Sequence, residues 1–177
     1  MLMLLALDIG NSAMKAGLFT KGGSLERTGR IELAGLADPA GPADPATPHE
    51  RASLLIDRLK EFLNGKVSSG AKLTGAALAS VVPGATAEVA EAVETLLTGH
   101  PPLVLTHETD SGLVLDIAEP STLGADRIAG ALGAVHAIGA PVAVVDLGTA
   151  TTVGFVVEGD TPESAVFRGG AIWPGLA

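Results

Sequence analysis

The chain has no cysteine and no tyrosine, and only four phenylalanines and one tryptophan among its 177 residues. Without a thiol it can form no disulfide, thiolate metal site or cysteine nucleophile. With so few rings, its core must be built from closely packed Leu, Val, Ile and Ala. Cations are scarce as well: 11 Lys and Arg stand against 20 Asp and Glu, a formal net charge of -9. Such a surface lacks the clustered cations that grip phosphates without regard to sequence, so no nucleic-acid partner is expected. Long apolar runs are missing too. Met1 to Leu7 has no basic segment before it and is interrupted by Asp8, which reads as a strand rather than a signal peptide. No apolar run reaches the roughly 18 residues needed to cross a bilayer. A cytoplasmic protein with no membrane partner is expected.

Several catalytic motifs are also absent. The sequence has no Gly-x-x-x-x-Gly-Lys-Ser/Thr loop, no Gly-x-Gly-x-x-Gly after a strand, no Gly-x-Ser-x-Gly elbow and no His-Glu-x-x-His, which removes support for zinc or serine-hydrolase chemistry. His49, His100, His107 and His136 are isolated. His136, near the end of a predicted helix, reads as a partner of the helix dipole.

What is present is a folded α/β pattern: 47% of residues are hydrophobic and 18% charged, which excludes disorder for most of the chain. A meander is predicted over Leu2–Asp8, Met14–Thr20 and Arg27–Leu33. Prolines 39, 42, 45 and 48 punctuate a loop over 35–48, whose spacing of three suits polyproline II or a plain exposed connection. A helix then starts at Thr47-Pro48 with Thr47 as N-cap, carries Leu54, Leu55, Arg58, Leu59 and Phe62 at helical spacing, and closes at Asn64-Gly65. A buried strand over Ala76–Val82, a helix over Thr86–Leu97 with Ala90, Val93, Leu96 and Leu97 inward, and a short strand over Leu103–Leu105 follow. The second half repeats the grammar with a helix over Thr122–Ile138, a buried strand over Pro141–Leu147, a returning strand over Thr151–Glu158 and a segment from Val166 onward. Alternation of strand and helix implies some parallel pairing.

One internal echo carries more weight. Leu5-Ala-Leu-Asp8-Ile-Gly10-Asn-Ser12 and Val144-Val-Asp146-Leu-Gly148-Thr-Ala-Thr151 share an apolar strand, an Asp, an apolar residue, a Gly and short polar or small residues. The separation is too long for a solenoid and suggests two lobes, each with the same hairpin. A Gly turn lets backbone approach a ligand and turns N–H groups toward phosphate oxygens, with Asn11, Ser12 and Thr149 as short donors. An Asp beside a phosphate implies a cation between them. Two such hairpins facing one another would make a nucleotide cleft; an Asx-turn is the plain alternative for either alone. Lys15 either reaches a phosphate or is a solvated strand residue. Gly124-Ala125-Asp126-Arg127 falls in the first turn of a helix, where the macrodipole favours an anion, so Asp126 can accept a proton from a substrate hydroxyl. Arg127 offers a planar fork for a carboxylate or phosphate. Both also fit an ordinary charged first turn.

Four stretches in order, Leu7-Asp-Ile-Gly-Asn-Ser12, Ala79-Ser-Val-Val-Pro83, Pro120-Ser-Thr-Leu-Gly-Ala-Asp-Arg-Ile-Ala129, and Val145-Asp-Leu-Gly-Thr-Ala-Thr-Thr-Val153 with Gly169-Gly-Ala-Ile-Trp-Pro-Gly175, resemble the type III pantothenate kinases of the acetate and sugar kinase/Hsp70/actin superfamily. The resemblance implies an actin-like, ribonuclease H-like two-lobed ATPase fold of α/β class: a first lobe over 1–110 and the start of a second over 111–177. Because that family runs longer, it also implies that the second lobe is incomplete and the sequence truncated at its C-terminal end. By the same resemblance Asp8, Ile9, Gly10, Asn11, Ser12, Ala13, Met14 and Lys15, with Thr149, would bind ATP. Gly124, Ala125, Asp126 and Arg127 would contact pantothenate, with Asp126 as the base, and Asp146 would hold a monovalent cation, potassium or ammonium. Magnesium would accompany the nucleotide, and a homodimer would be the working unit. The implied reaction makes 4'-phosphopantothenate, the first step toward coenzyme A. A non-catalytic binding or regulatory relative, and a kinase of the superfamily acting on another small molecule, remain open. The sequence has Ile117 where the family usually has an aromatic residue and Gly154 where it usually has Asp.

Overall fold

The computed structural model describes residues 1–11, 13–33, 48–64, 71–148, 150–161 and 164–175. The chain divides into two compact units, Met1–Val104 and Leu105–Ala177, each with its own sheet and core. Leu105 packs against the second core, which places the division a few residues before the 110/111 boundary drawn from the sequence.

Unit 1 is a five-stranded sheet in the order β3-β2-β1-β4-β5. Strands β1 (Leu2–Ile9), β2 (Met14–Thr20) and β3 (Leu25–Ile31) form the expected antiparallel meander. Helix α1 (Pro48–Leu63) then leads to β4 (Lys72–Ser80), parallel to β1, and α2 (Pro83–Leu96) leads to β5 (Leu103–Val104), parallel to β4. The apolar run of β1 is read from sequence as a buried strand, but it is buried on one face alone. Met3, Leu5, Leu7 and Ile9 enter the core, while Leu2 and Leu4 are 42% and 41% exposed. The cause is that Leu55, Leu59 and Phe62 of α1 and Val89, Ala92 and Val93 of α2 join the same cluster as Met3, Leu5, Leu7 and Ile9, so both helices cover that one side. Leu54, placed inward by spacing, is exposed; the buried stripe of α1 runs through Leu55, Leu59, Phe62 and Leu63 instead. On α2, Val93 and Leu97 are buried as expected, and Ala90 and Leu96 are partly buried beside Ala85, Val89 and Ala92.

Strand β4 begins four residues before its expected start because Lys72 to Gly75 pair with Leu2 to Leu4, and the Thr74 hydroxyl donates to the Met3 carbonyl at 3.1 Å. Helix α2 starts at Pro83, where proline costs nothing because the first-turn N–H has no partner to lose. The expected N-cap Thr47, the closing Gly65 and the proline loop over 35–47 lie outside the described residues.

Unit 2 is a four-stranded sheet in the order β6-β9-β8-β7. Strand β6 (Leu113–Leu115) is parallel to β9 (Ala165–Pro174), which is antiparallel to β8 (Ala150–Glu158), itself antiparallel to β7 (Val142–Leu147). Helix α3 (Ala125–Ile138) starts three residues after the expected Thr122. Pro120–Thr122 form a separate 3-10 turn, and Gly124 takes φ -60°, ψ 141°, an extended geometry that no helix can include. The helix ends where Gly139 at φ 83° donates its N–H to Val135 O, a left-handed C-terminal residue that glycine adopts without strain. Ile128 and Ala131 of α3 pack with Val156 and Phe167 of the sheet, and the backbone at Gly130 comes close to Val144.

Candidate active site

In unit 1, Asp8 is the last outward-facing residue of β1, directly across from Lys15 on β2. The Lys15 ammonium lies 3.6 Å from the Asp8 carboxylate, with side chains 71% and 43% exposed. A pair this open to water contributes about 0–1 kcal/mol to stability. Between them the chain turns through Gly10 and Asn11, and the Gly10 N–H donates to the Ala13 carbonyl at 3.1 Å. That amide closes the turn. Ile9 and Met14 are fully buried and Ala13 nearly so. Asn11 is exposed, while Ser12 lies outside the described residues.

The loop after β4 borders this hairpin, a neighbour that the spacing of residues along the sequence does not single out. Val81 N–H donates to Ile9 O at 3.1 Å. Ser80 Oγ accepts from Val82 N–H at 3.1 Å and from the Thr86 hydroxyl at 2.7 Å. One serine thus ties the end of β4 to the first turn of α2, at the carboxyl ends of two parallel strands, where open α/β sheets place ligands.

In unit 2 the echo is present in shorter form. Asp146 is exposed at the end of β7 and opposite Thr152, and Gly148 N–H donates to Ala150 O at 3.0 Å. Thr149 lies outside the described residues. Among the described residues no group of three or more His, Asp or Glu gathers as a metal site.

Asp126 and Arg127 occupy the first turn of α3, both half-buried. Asp126 Oδ1 accepts the Arg127 backbone N–H at 2.8 Å, which aims the carboxylate along the helix start. The Arg127 side chain reaches across the sheet: Nη2 donates to the Val153 carbonyl at 3.0 Å, and the guanidinium carbon sits 5.4 Å from the centre of the Phe167 ring. Gly154 and Gly170, paired across β8 and β9, make room for this. A side chain at 154 would meet the Phe167 ring at 2.8 Å, and one at 170 would meet Arg127 Nη2 at 2.8 Å. Gly154 therefore has a packing reason in this protein. Ile117 belongs to the same neighbourhood, packing on the second core and facing Gly169.

The fold is that of the actin-like ATPases. Its likeness to a solved Ppx/GppA phosphatase of Aquifex aeolicus reaches a TM-score of 0.54 at 18% identity, over 98% of this chain and 52% of that one. Within that class, residues 4–177 match the family model of type III pantothenate kinase, and the chain belongs to that family. A type III pantothenate kinase of Thermomicrobium roseum is 41% identical over 59% of this chain and 38% of its own length. One of Nocardia farcinica is 33% identical over 99% of this chain and 60% of its own. The chain thus spans about three fifths or less of these curated relatives. No helix among the described residues is long and apolar enough to cross a membrane.

Proposed function

We propose that this family member transfers the γ-phosphoryl group of ATP to the primary hydroxyl of pantothenate, giving 4'-phosphopantothenate and ADP, the first step of coenzyme A synthesis. The observation that carries the reading is the first turn of α3. It joins an oriented carboxylate, Asp126, to a guanidinium, Arg127, held half-buried by a carbonyl and a ring. Pantothenate brings a carboxylate and a hydroxyl, which call for a cation and a base. Arg127, with Gly124 and Ala125 beside it, would bind and orient the substrate through its carboxylate. Asp126 would take the hydroxyl proton as the oxygen forms its bond to phosphorus and the bond to the β-phosphate oxygen breaks.

The Asp8–Lys15 hairpin would receive the nucleotide phosphates, with Asn11 and Ser12 as donors and Lys15 as the cation. Magnesium accompanying ATP would neutralise charge between phosphates. Asp146 is a hard oxygen ligand, exposed and with no described cation beside it, a donor suited to potassium or ammonium, whose other ligands would be carbonyls, water or phosphate oxygens. Thr149 would adjoin the nucleotide. A homodimer in the cytoplasm belongs to the same reading.

The test is pantothenate phosphorylation and ligand-induced thermal stabilisation of the protein, with potassium present and absent, for wild type and Asp126→Asn. Loss of the base should lower turnover by about 10²–10⁴ while the ATP-induced shift stays within error. A folded wild-type protein that pantothenate does not stabilise would sink the reading. Equal loss of turnover and ATP binding in Asp126→Asn would remove the base assignment.

A further inference from the structure

We infer that Phe167 is a positioning residue for Arg127, and that the glycine at 154 is what seats it. This rests on the proposed role of Arg127 in holding the pantothenate carboxylate. A long arginine side chain on a helix start ordinarily samples many rotamers, and a substrate that must freeze it loses affinity by that entropy. Here the freezing is done before substrate arrives. Phe167 is 1% exposed and packed with Ile128, Ala131 and Val156 in the second core, which holds its ring in place. Arg127 lies over that ring at 5.4 Å and donates one N–H to Val153 O, fixing the plane of the fork in two directions. The other guanidinium N–H groups make no bond to a described residue and are left for an anion. Gly154 permits the ring position, because a Cβ there would stand 2.8 Å from one ring carbon and 3.3 Å from the next. Gly170 leaves the guanidinium its berth, since a Cβ there would crowd both Arg127 Nη2 and the Val153 carbonyl. Five residues on one helix and two strands thus form a single device for aiming a cation.

A merely structural Phe167 would affect stability and nothing else, so the test reads substrate affinity and arginine order directly. Pantothenate and ATP affinities would be measured by calorimetry for wild type, Phe167→Leu, Gly154→Ala and Arg127→Ala. The Arg127 side-chain NMR resonances would be followed in the first three. Phe167→Leu keeps an apolar side chain but removes the ring face, and should weaken pantothenate about three- to tenfold with ATP affinity unchanged. The ring-current shift of Arg127 should vanish with it. Gly154→Ala, which pushes the ring without removing it, should move that shift and weaken pantothenate by a smaller factor. If wild type binds pantothenate and Arg127→Ala weakens it, yet both Phe167→Leu and Gly154→Ala bind as wild type, the positioning role is overturned and the function stands. If Arg127→Ala itself leaves pantothenate affinity unchanged, the substrate role of Arg127 fails and the inference goes with it.

Discussion

The two hairpins share a pattern, yet among the described residues the helices lie on opposite sides of their sheets. In unit 1 the face away from Asp8, carrying Leu5, Leu7, Ile9, Leu18 and Ile31, lies under α1 and α2. In unit 2 helix α3 packs on the side of Val142, Val144 and Asp146. Val145, Leu147, Phe155 and Trp173, which hold the places of Leu7, Ile9, Leu18 and Ile31 in the matching register, are exposed, Leu147 by 67%. Helices α1 and α2 come after the meander of unit 1, whereas α3 comes before the hairpin of unit 2. A strand apolar on both faces carries no instruction about which face becomes the core; the helix that arrives decides.

The largest test of this contrast compares one truncation in each sheet. Leu5→Ala should destabilise unit 1 by about 2–5 kcal/mol, since it opens a cavity under two helices. Val145→Ala, on a face that no described helix covers, should cost under about 1 kcal/mol in this chain. Urea unfolding of the two variants measures both, and equal losses would mean that the face of Val145 is covered in solution.

This also marks how far the sequence could be read. The meander, the two helices after it and the hairpin of unit 2 were legible because apolar spacing and Pro or Gly punctuation agree there. The burial of β1 was not, because Leu2 and Leu4 are as apolar as Leu5 and Leu7 and differ in what lies above them. Strand β6 is not legible, because three residues hold no period. Helix α3 starts later than the sequence suggests because Pro120–Thr122 form a separate 3-10 turn and Gly124 is extended. At the candidate site, helix position and resemblance single out Asp126 and Arg127 in the sequence. Their partners are not singled out: Phe167 and Arg127 are distant in sequence, and the clearance at Gly154 exists only in three dimensions.

A smaller effect sharpens the comparison at its glycines. Each unit stacks an arginine on a phenylalanine that a glycine accommodates: Arg27 on Phe62 at 5.2 Å with Gly29 beneath, and Arg127 on Phe167 at 5.4 Å with Gly154 beneath. Phe62 lies at the rim of its core beside an exposed arginine, whereas Phe167 is held on all sides. Gly154→Ala should therefore cost about 1–3 kcal/mol by overpacking. Gly29→Ala should cost less, because Phe62 is more exposed than Phe167 and alanine recovers about 0.5–1 kcal/mol in a strand. Thermal unfolding of the pair checks this, and a larger loss at Gly29 would contradict it.

The smallest change in stability belongs to the charges at the two hairpins. Asp8 faces Lys15, while its counterpart Asp146 faces Thr152. Removing the cation by Lys15→Met should shift stability by less than about 1 kcal/mol, because the pair is exposed, and high salt should erase even that. Its effect on ATP should be larger: a cation near phosphates is worth about 1 kcal/mol in water and more where water is excluded, so affinity should fall roughly fivefold or further. The reverse change, Thr152→Lys, would give Asp146 the ammonium that Asp8 already has. If Asp146 holds a potassium ion, this built-in cation should abolish the potassium dependence of ATP-induced stabilisation while leaving the fold intact. Potassium dependence that survives Thr152→Lys would move the ion away from Asp146, and ATP affinity that survives Lys15→Met would leave the first hairpin without its phosphate-binding role.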